Sequence, residues 1–213
     1  MRETTSVRRR LREHGTPMAD VADAPEGWPA DRVTMMELAS GTQLRIRPAL
    51  PDDGVELQEG LKRLSERTRW LRFHAPVDHL TNAQLRYLVE VDHHDREALV
   101  AEVRVAVGNW QPVAVARWDC DRERPEQAEI AIVVEDAYQG RGIGRRLLAR
   151  LAEVAVEEGI TLFTGEILAE NRDMLAMLDH IGVATEATLE GTVVHTRTWL
   201  VNPTTPGRQA AAG

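Results

Sequence analysis

Residues 128–148 read AEIAIVVEDAYQGRGIGRRLL. An apolar run leads into three glycines at alternate positions, Gly140, Gly142 and Gly144, and then into a stretch with helical spacing. Residues 128–134, AEIAIVV, read as a largely buried strand. Beyond the glycines, Ile143, Leu147, Leu148, Leu151, Val154 and Ala155 mark one face of a helix that stops at Gly159. Glycines at a strand-to-helix turn let backbone N–H groups close on an anion, and the helix adds its unpaired donors and the positive end of its dipole. Arg141, Arg145 and Arg146 supply mobile positive charge beside them. The stretch therefore predicts a phosphate cradle rather than a merely flexible turn.

Two common cradles do not match. A dinucleotide fingerprint needs G-x-G-x-x-G, and Arg145 stands where the third glycine belongs. A P-loop needs a Lys-Ser/Thr pair after its last glycine, which is absent here.

The flanking sequence fills in a mixed α/β domain over about residues 33–201. Leu44–Arg47 reads as a short strand. PALPDDGVELQEGLKRLSE follows as a helix with Asp52 or Asp53 as cap and Val55, Leu57, Leu61 and Leu64 as its apolar face. LTNAQLRYLVEV is a second helix capped by Thr81. Ala98–Val105 and Val113–Trp118 form a hairpin about Gly108 and Asn109. After the glycine helix come the strand 161–168, a short helix ending at Gly182, and two further strands. The predicted order is β-α-α-β-β-β-α-β-α-β-β, a mixed, mostly antiparallel sheet of about seven strands and about four helices. Residues 1–32, with Arg8, Arg9, Arg10 and Arg12, read as a flexible basic extension, and residues 202–213 as a second tail.

Composition narrows the function classes. The 213 residues are 43% hydrophobic and 28% charged, as in an ordinary globular protein. A net charge of -8 argues against sequence-independent nucleic-acid binding. No apolar segment approaches the roughly 18–20 residues that cross a bilayer, so no membrane partner is expected. The basic start lacks the apolar core of a secretion signal. A single cysteine, Cys120, excludes an intrachain disulfide and makes a reducing cytoplasm the simplest home. No metal is expected: His93 and His94 sit in a polar turn and read as solvated rather than ligating.

Gln139-x-x-Gly142-x-Gly144, after AEIAIVVEDAY and before an amphipathic helix, resembles the acetyl-CoA motif of the GNAT N-acetyltransferases. The likeness runs through the next strand to Asn171, which opens the following helix as in that family. Upstream, RLSERTRWLRFHAPVDHLTNAQLRYLVEVDHHDREALVAE looks like bacterial protein lysine acetyltransferases of the Pat type. Those often carry a regulatory or synthetase-like domain, so the expectation here is the bare catalytic module, a monomer or homodimer.

The resemblance implies a site. Ile132, Val133 and Val134 would offer backbone to the pantetheine arm, one N–H facing the thioester oxygen. Gln139, Gly140, Arg141, Gly142, Ile143, Gly144 and Arg145 would hold the pyrophosphate, and Asn171 would contact the pantetheine. Acetyl transfer to an amine also needs a base, for which the family offers two positions, Glu129 and Glu166. A carboxylate set between apolar strand residues is costly to bury unless it works as a base or is paired. Relatives often place an acid, a tyrosine, seven residues after the asparagine; here that position is Leu178. Tyr138 reads as packing, and Trp70, Arg72 and Phe73 as candidates for the acceptor groove. The expectation is direct acetyl transfer from acetyl-CoA to a protein lysine such as one on an acyl-CoA synthetase, with no cysteine-linked intermediate. A small amine (an antibiotic, a polyamine or an amino acid) is the alternative acceptor. A non-catalytic acyl-CoA sensor is the alternative class.

Overall fold

The structure is a computed structural model, and it describes residues 24–202. Among these residues eight strands form one sheet in the order β1-β2-β3-β4-β5-β6-β8-β7. They are β1 (Thr34–Glu37), β2 (Gln43–Pro48), β3 (Arg96–Ala106), β4 (Asn109–Asp121), β5 (Arg124–Val134), β6 (Leu162–Leu168), β7 (Ala184–Glu190) and β8 (Val193–Trp199). The helices are α1 (Asp53–Arg63), α2 (Glu66–Phe73), α3 (Asn82–Val89), α4 (Ile143–Glu157) and α5 (Arg172–Ile181). The mixed, mostly antiparallel sheet is as expected; it has one strand and one helix more. The added strand, β1, is a four-residue edge pairing only with β2, too short to stand out in a periodicity scan. The added helix arises because the first helical region breaks at Leu64. Ser65 restarts it as α2, its hydroxyl accepting from the Thr68 N–H.

The sheet is sandwiched. Ala128, Ile130, Ile132 and Val134 of β5 join the main core with Leu147, Leu148, Leu151 and Val154 of α4. Val133 packs on the opposite face with Leu61, Leu64 and Leu80, under α1 to α3. Helices on both faces explain why residues 128–134 read as continuously apolar rather than alternating. Thr81 caps α3 through a full capping box with Gln84.

Two details of α1 differ from expectation. Val55 is 52% exposed, because residues two apart on a helix lie about 200° around its axis and Leu57 takes the inner face. Neither aspartate makes a side-chain cap for α1. Asp53 is buried instead, accepting from the Leu50 N–H at 2.7 Å and from both terminal nitrogens of Arg47 at 2.7 and 2.8 Å. Arg47 is fully buried and also donates to Glu102 of β3 at 2.9 and 3.0 Å. This network fastens α1 to β2 and β3. Arg47→Met leaves the buried Asp53 without its counter-charge and Glu102 with Arg45 alone, and its expected cost is about 3–5 kcal/mol in urea unfolding.

Upstream of residue 33, Trp28 is buried and its indole N–H donates to the Ala49 carbonyl at 3.1 Å. Arg32 pairs with Glu97 and Glu158. The carboxylates of Glu97 and Glu158 also engage His93 and His94. Arg8, Arg9, Arg10 and Arg12, and residues 203–213, lie outside the described residues. Among the described residues no helix is long and apolar enough to cross a membrane.

Candidate active site

Among the described residues β5 and β6 are the only parallel neighbours, and their pairing is short. Gln127, Ala128 and Glu129 face Leu162, Phe163 and Thr164, and the register ends there. β5 continues to Val134 paired only with β4, while β6 continues to Leu168 paired only with β8. From Ile130 to Val134 one edge of β5 therefore presents backbone donors and acceptors to a widening gap. That gap opens into a cleft of about 600 Å³ lined by residues 129–134, the glycine turn, Glu166 and Asn171.

The glycine turn forms the other end of the cleft. Gly140 and Gly142 have φ of +70° and +76°, a left-handed conformation that side chains resist. Gly142 is the N-cap of α4 and carries no capping side chain, so the first-turn N–H groups point outward without a helical partner. Gly144 serves a different need. A Cβ there would lie 3.2 Å from Val134 Cγ2 and 3.3 Å from Met177 Sδ, so its absence lets α4 close against β5 and α5.

Side chains brace this turn from α2. The Gln139 amide donates to the Val134 carbonyl at 3.0 Å and to Thr68 Oγ1 at 3.2 Å. Asp136 accepts from the Ser65 and Thr68 hydroxyls at 2.6 and 2.8 Å. These contacts hold the Asp136 carboxyl below its ordinary range despite partial burial. Gln139 thus works as a strut. Arg141 does not line the cleft; its guanidinium lies 5.1 Å from the Tyr138 ring centroid, and Tyr138 packs against the core. Ile143 is buried, so only its backbone can serve a ligand. Asn171 is the N-cap of α5, its Oδ1 accepting from the Met174 N–H at 3.3 Å.

Glu129 and Glu166 both line the cleft. Glu129 is in register with Thr164, and in a parallel pair that places Glu166, two residues on, toward the same side of the sheet. Both are exposed, so the expected burial cost is not what sets them apart. Glu129 stands at the last paired residue, where the strands part. Across β4, Asp119 takes both Arg96 and Arg117, whereas Glu129 makes no ion pair among the described residues. Glu166 lies 3.6 Å from His195 of β8.

Of the three acceptor-groove candidates, Arg72 and Phe73 line the cleft, while Trp70 is exposed outside it. Leu178 is 1% exposed within the core, which puts the position seven after Asn171 away from any ligand. His74, which the sequence reading passed over, lines the cleft at the left-handed C-cap of α2. A helix-ending histidine four residues after an exposed tryptophan offered no periodic signal to find it.

Cys120 lies outside the cleft, and burial followed by Asp95 and Asp92 pushes its thiol up to about 11. At pH 7.5 that leaves about 100-fold less thiolate than an unperturbed cysteine holds. Iodoacetamide is expected to label Cys120 correspondingly slowly, without loss of activity; rapid labelling with inactivation would restore a cysteine to the reaction.

Comparison with known proteins agrees with this geometry. The model of the Acetyltransferase (GNAT) family matches residues 58–183. Acetyltransferase Pat of Mycolicibacterium smegmatis is 34% identical over 148 residues, 69% of this chain. The chain spans 43% of the length of that relative. Acetyltransferase PA5475 of Pseudomonas aeruginosa is 31% identical over 137 residues, covering 64% of this chain and 73% of that protein. The crystal structure of the GNAT domain of S. lividans PAT superposes with a TM-score of 0.71 at 30% identity, over 81% of this chain and 99% of that one. A parting of parallel strands beside a glycine-capped helix, together with a family match over more than half its length, means that this chain belongs to the GNAT family of acetyltransferases.

Proposed function

We propose that this acetyltransferase moves acetyl from acetyl-CoA to the ε-amine of a protein lysine, with Glu129 as general base. The observation that carries the reading is the short β5–β6 register, which leaves a strand edge free directly beside Glu129. The residues fit the group: a slot between parted strands suits an extended amide-bearing arm, and two left-handed glycines at an uncapped helix start suit a pyrophosphate.

When bound, acetyl-CoA supplies an activated acetyl thioester. The chain's own residues do the rest. The free edge of β5 pairs with the arm and turns one N–H toward the carbonyl oxygen, where negative charge develops. The α4 N-terminus and Arg145 take the phosphate charge. Glu129 removes a proton from the incoming ammonium, directly or through one water, so that the nitrogen can attack the carbonyl carbon as the carbon–sulfur bond breaks. With Leu178 buried, the second proton that the nitrogen sheds as the amide forms passes through water to the departing thiolate. A protein acceptor is favoured by the likeness to the two Pat-type chains rather than by any feature of the cleft.

The test is thiol release from acetyl-CoA with an acyl-CoA synthetase and with a panel of polyamines, aminoglycosides and amino acids. Release with the synthetase, with acetyl-lysine appearing in its peptide map, is the expected result. Release only with a small amine would replace the acceptor, and binding without release to any acceptor would replace the enzyme with a sensor.

A further inference from the structure

The cleft does not end at Glu129. Past Arg72, Phe73, Ala131 and Val133 it meets an inner pocket of about 90 Å³ between the sheet and α1 to α3. Arg72 lines both spaces, and Arg117 of β4 lines the inner one. The walls are otherwise largely apolar, with Leu61, Leu64 and Val113 among them; the carboxylates that also line it are already taken, Asp53 by Arg47 and Glu56 and Glu135 by Arg63.

The two guanidiniums are under-used. Arg72 has no hydrogen-bond or ion-pair acceptor among the described residues; its guanidinium carbon lies 5.0 Å from the ring centroid of its neighbour Phe73. Arg117 is 5% exposed; it spends Nε and Nη2 on Asp119 at 2.8 to 3.1 Å, and its Nη1 is buried with no partner among the described residues. Asp119 cannot serve Arg72 as well, because it already takes Arg96, Arg117 and the Tyr87 hydroxyl. Three arginines thus meet two carboxylates, Asp119 and Glu129, which leaves one positive charge over. Burial and then the charge of Arg117 push the Arg72 guanidinium down to about 10, as for a cation that lacks its counter-ion.

Resting on the reading of the cleft as an acetyl-transfer site, we infer that Arg72, backed by Arg117, receives a carboxylate carried a few bonds from the reacting atoms. A planar guanidinium with free donors matches a carboxylate in shape and charge. Aliphatic walls fit the methylenes that would carry it. Two sources share this chemistry. The carboxylate can end a dicarboxylic acyl group on the thioester, such as succinyl, or it can belong to the acceptor beside its amine.

The full chain is assayed in two arms. Calorimetry compares succinyl-CoA with butyryl-CoA, which has the same carbon count without the terminal charge. Initial rates with acetyl-CoA compare lysine peptides with a flanking Glu or Gln. One arm is expected to show a preference of about tenfold for the charged ligand, closing to near unity in Arg72→Gln and recovering in part in Arg72→Lys. The arm that responds identifies the source. Wild-type protein that binds acetyl-CoA but shows both ratios within twofold overturns the subsite alone. Wild-type protein that fails to bind acetyl-CoA overturns the transfer-site reading beneath it.

Discussion

Glu129→Gln is expected to lower kcat by about 10²–10⁴ while leaving acetyl-CoA affinity within about twofold. Glutamine keeps the shape and hydration of the residue but cannot accept a proton. The change therefore acts on the step in which the ammonium is neutralised and not on the strand edge or the glycine turn. Glu129 stands at the point where the β5–β6 register ends, and among the described residues it makes no ion pair that would compete for a proton. Glu166→Gln is the matched control. Its carboxylate faces His195 at 3.6 Å and sits two residues beyond the last position of β6 that pairs with β5, so its loss is expected to cost less than tenfold. The low-pH limb of kcat/KM should disappear in the Glu129 variant and persist in the Glu166 variant. The reverse pattern would move the base to β6.

How far the sequence reaches is clearest at these two strands. The apolar run 128–134, the alternate glycines and the spacing of Leu147, Leu148 and Leu151 are local patterns, and each became the element its period implied. Thr81 read as a helix cap in the same way, and the structure adds Gln84 as its reciprocal partner. What stayed illegible depends on partners distant in the chain. No local rule tells that Asp53 abandons helix capping for Arg47, or that the Gln139 side chain braces Val134 and Thr68 instead of facing outward. The three-residue register between β5 and β6 is likewise a property of two strands whose paired residues, such as Glu129 and Thr164, are thirty-five apart in sequence. The glutamates were found through family resemblance, since an exposed carboxylate on a strand carries no periodic signal. Arg72 was named as a groove residue, but its missing counter-ion is visible only once β4 brings Arg117 and Asp119 beneath α2.

Gly142→Glu is expected to raise the acetyl-CoA dissociation constant by at least about 100-fold while the protein remains folded. Three effects meet at this residue. The left-handed φ of +76° costs a non-glycine residue about 1–2 kcal/mol. A Cβ would lie 2.9 Å from Arg146 Nη1, but that is the end of a flexible side chain that can swing away. The added carboxylate sits at the start of α4, where it complements the helix dipole and so offsets part of the strain. The same charge occupies the place of the pyrophosphate, and two like charges about 4 Å apart repel by about 4 kcal/mol at the dielectric of a protein surface. Affinity should therefore fall far more than stability. Gly142→Ala carries the strain without the charge and is expected to weaken binding less than tenfold. Gly144→Val crowds Val134 and Met177 at 3.2 and 3.3 Å, and should lower the melting temperature before it alters affinity. Calorimetric titration and thermal melting of the three variants separate charge, backbone strain and overpacking. Wild-type affinity in Gly142→Glu would remove the phosphate cradle from this turn.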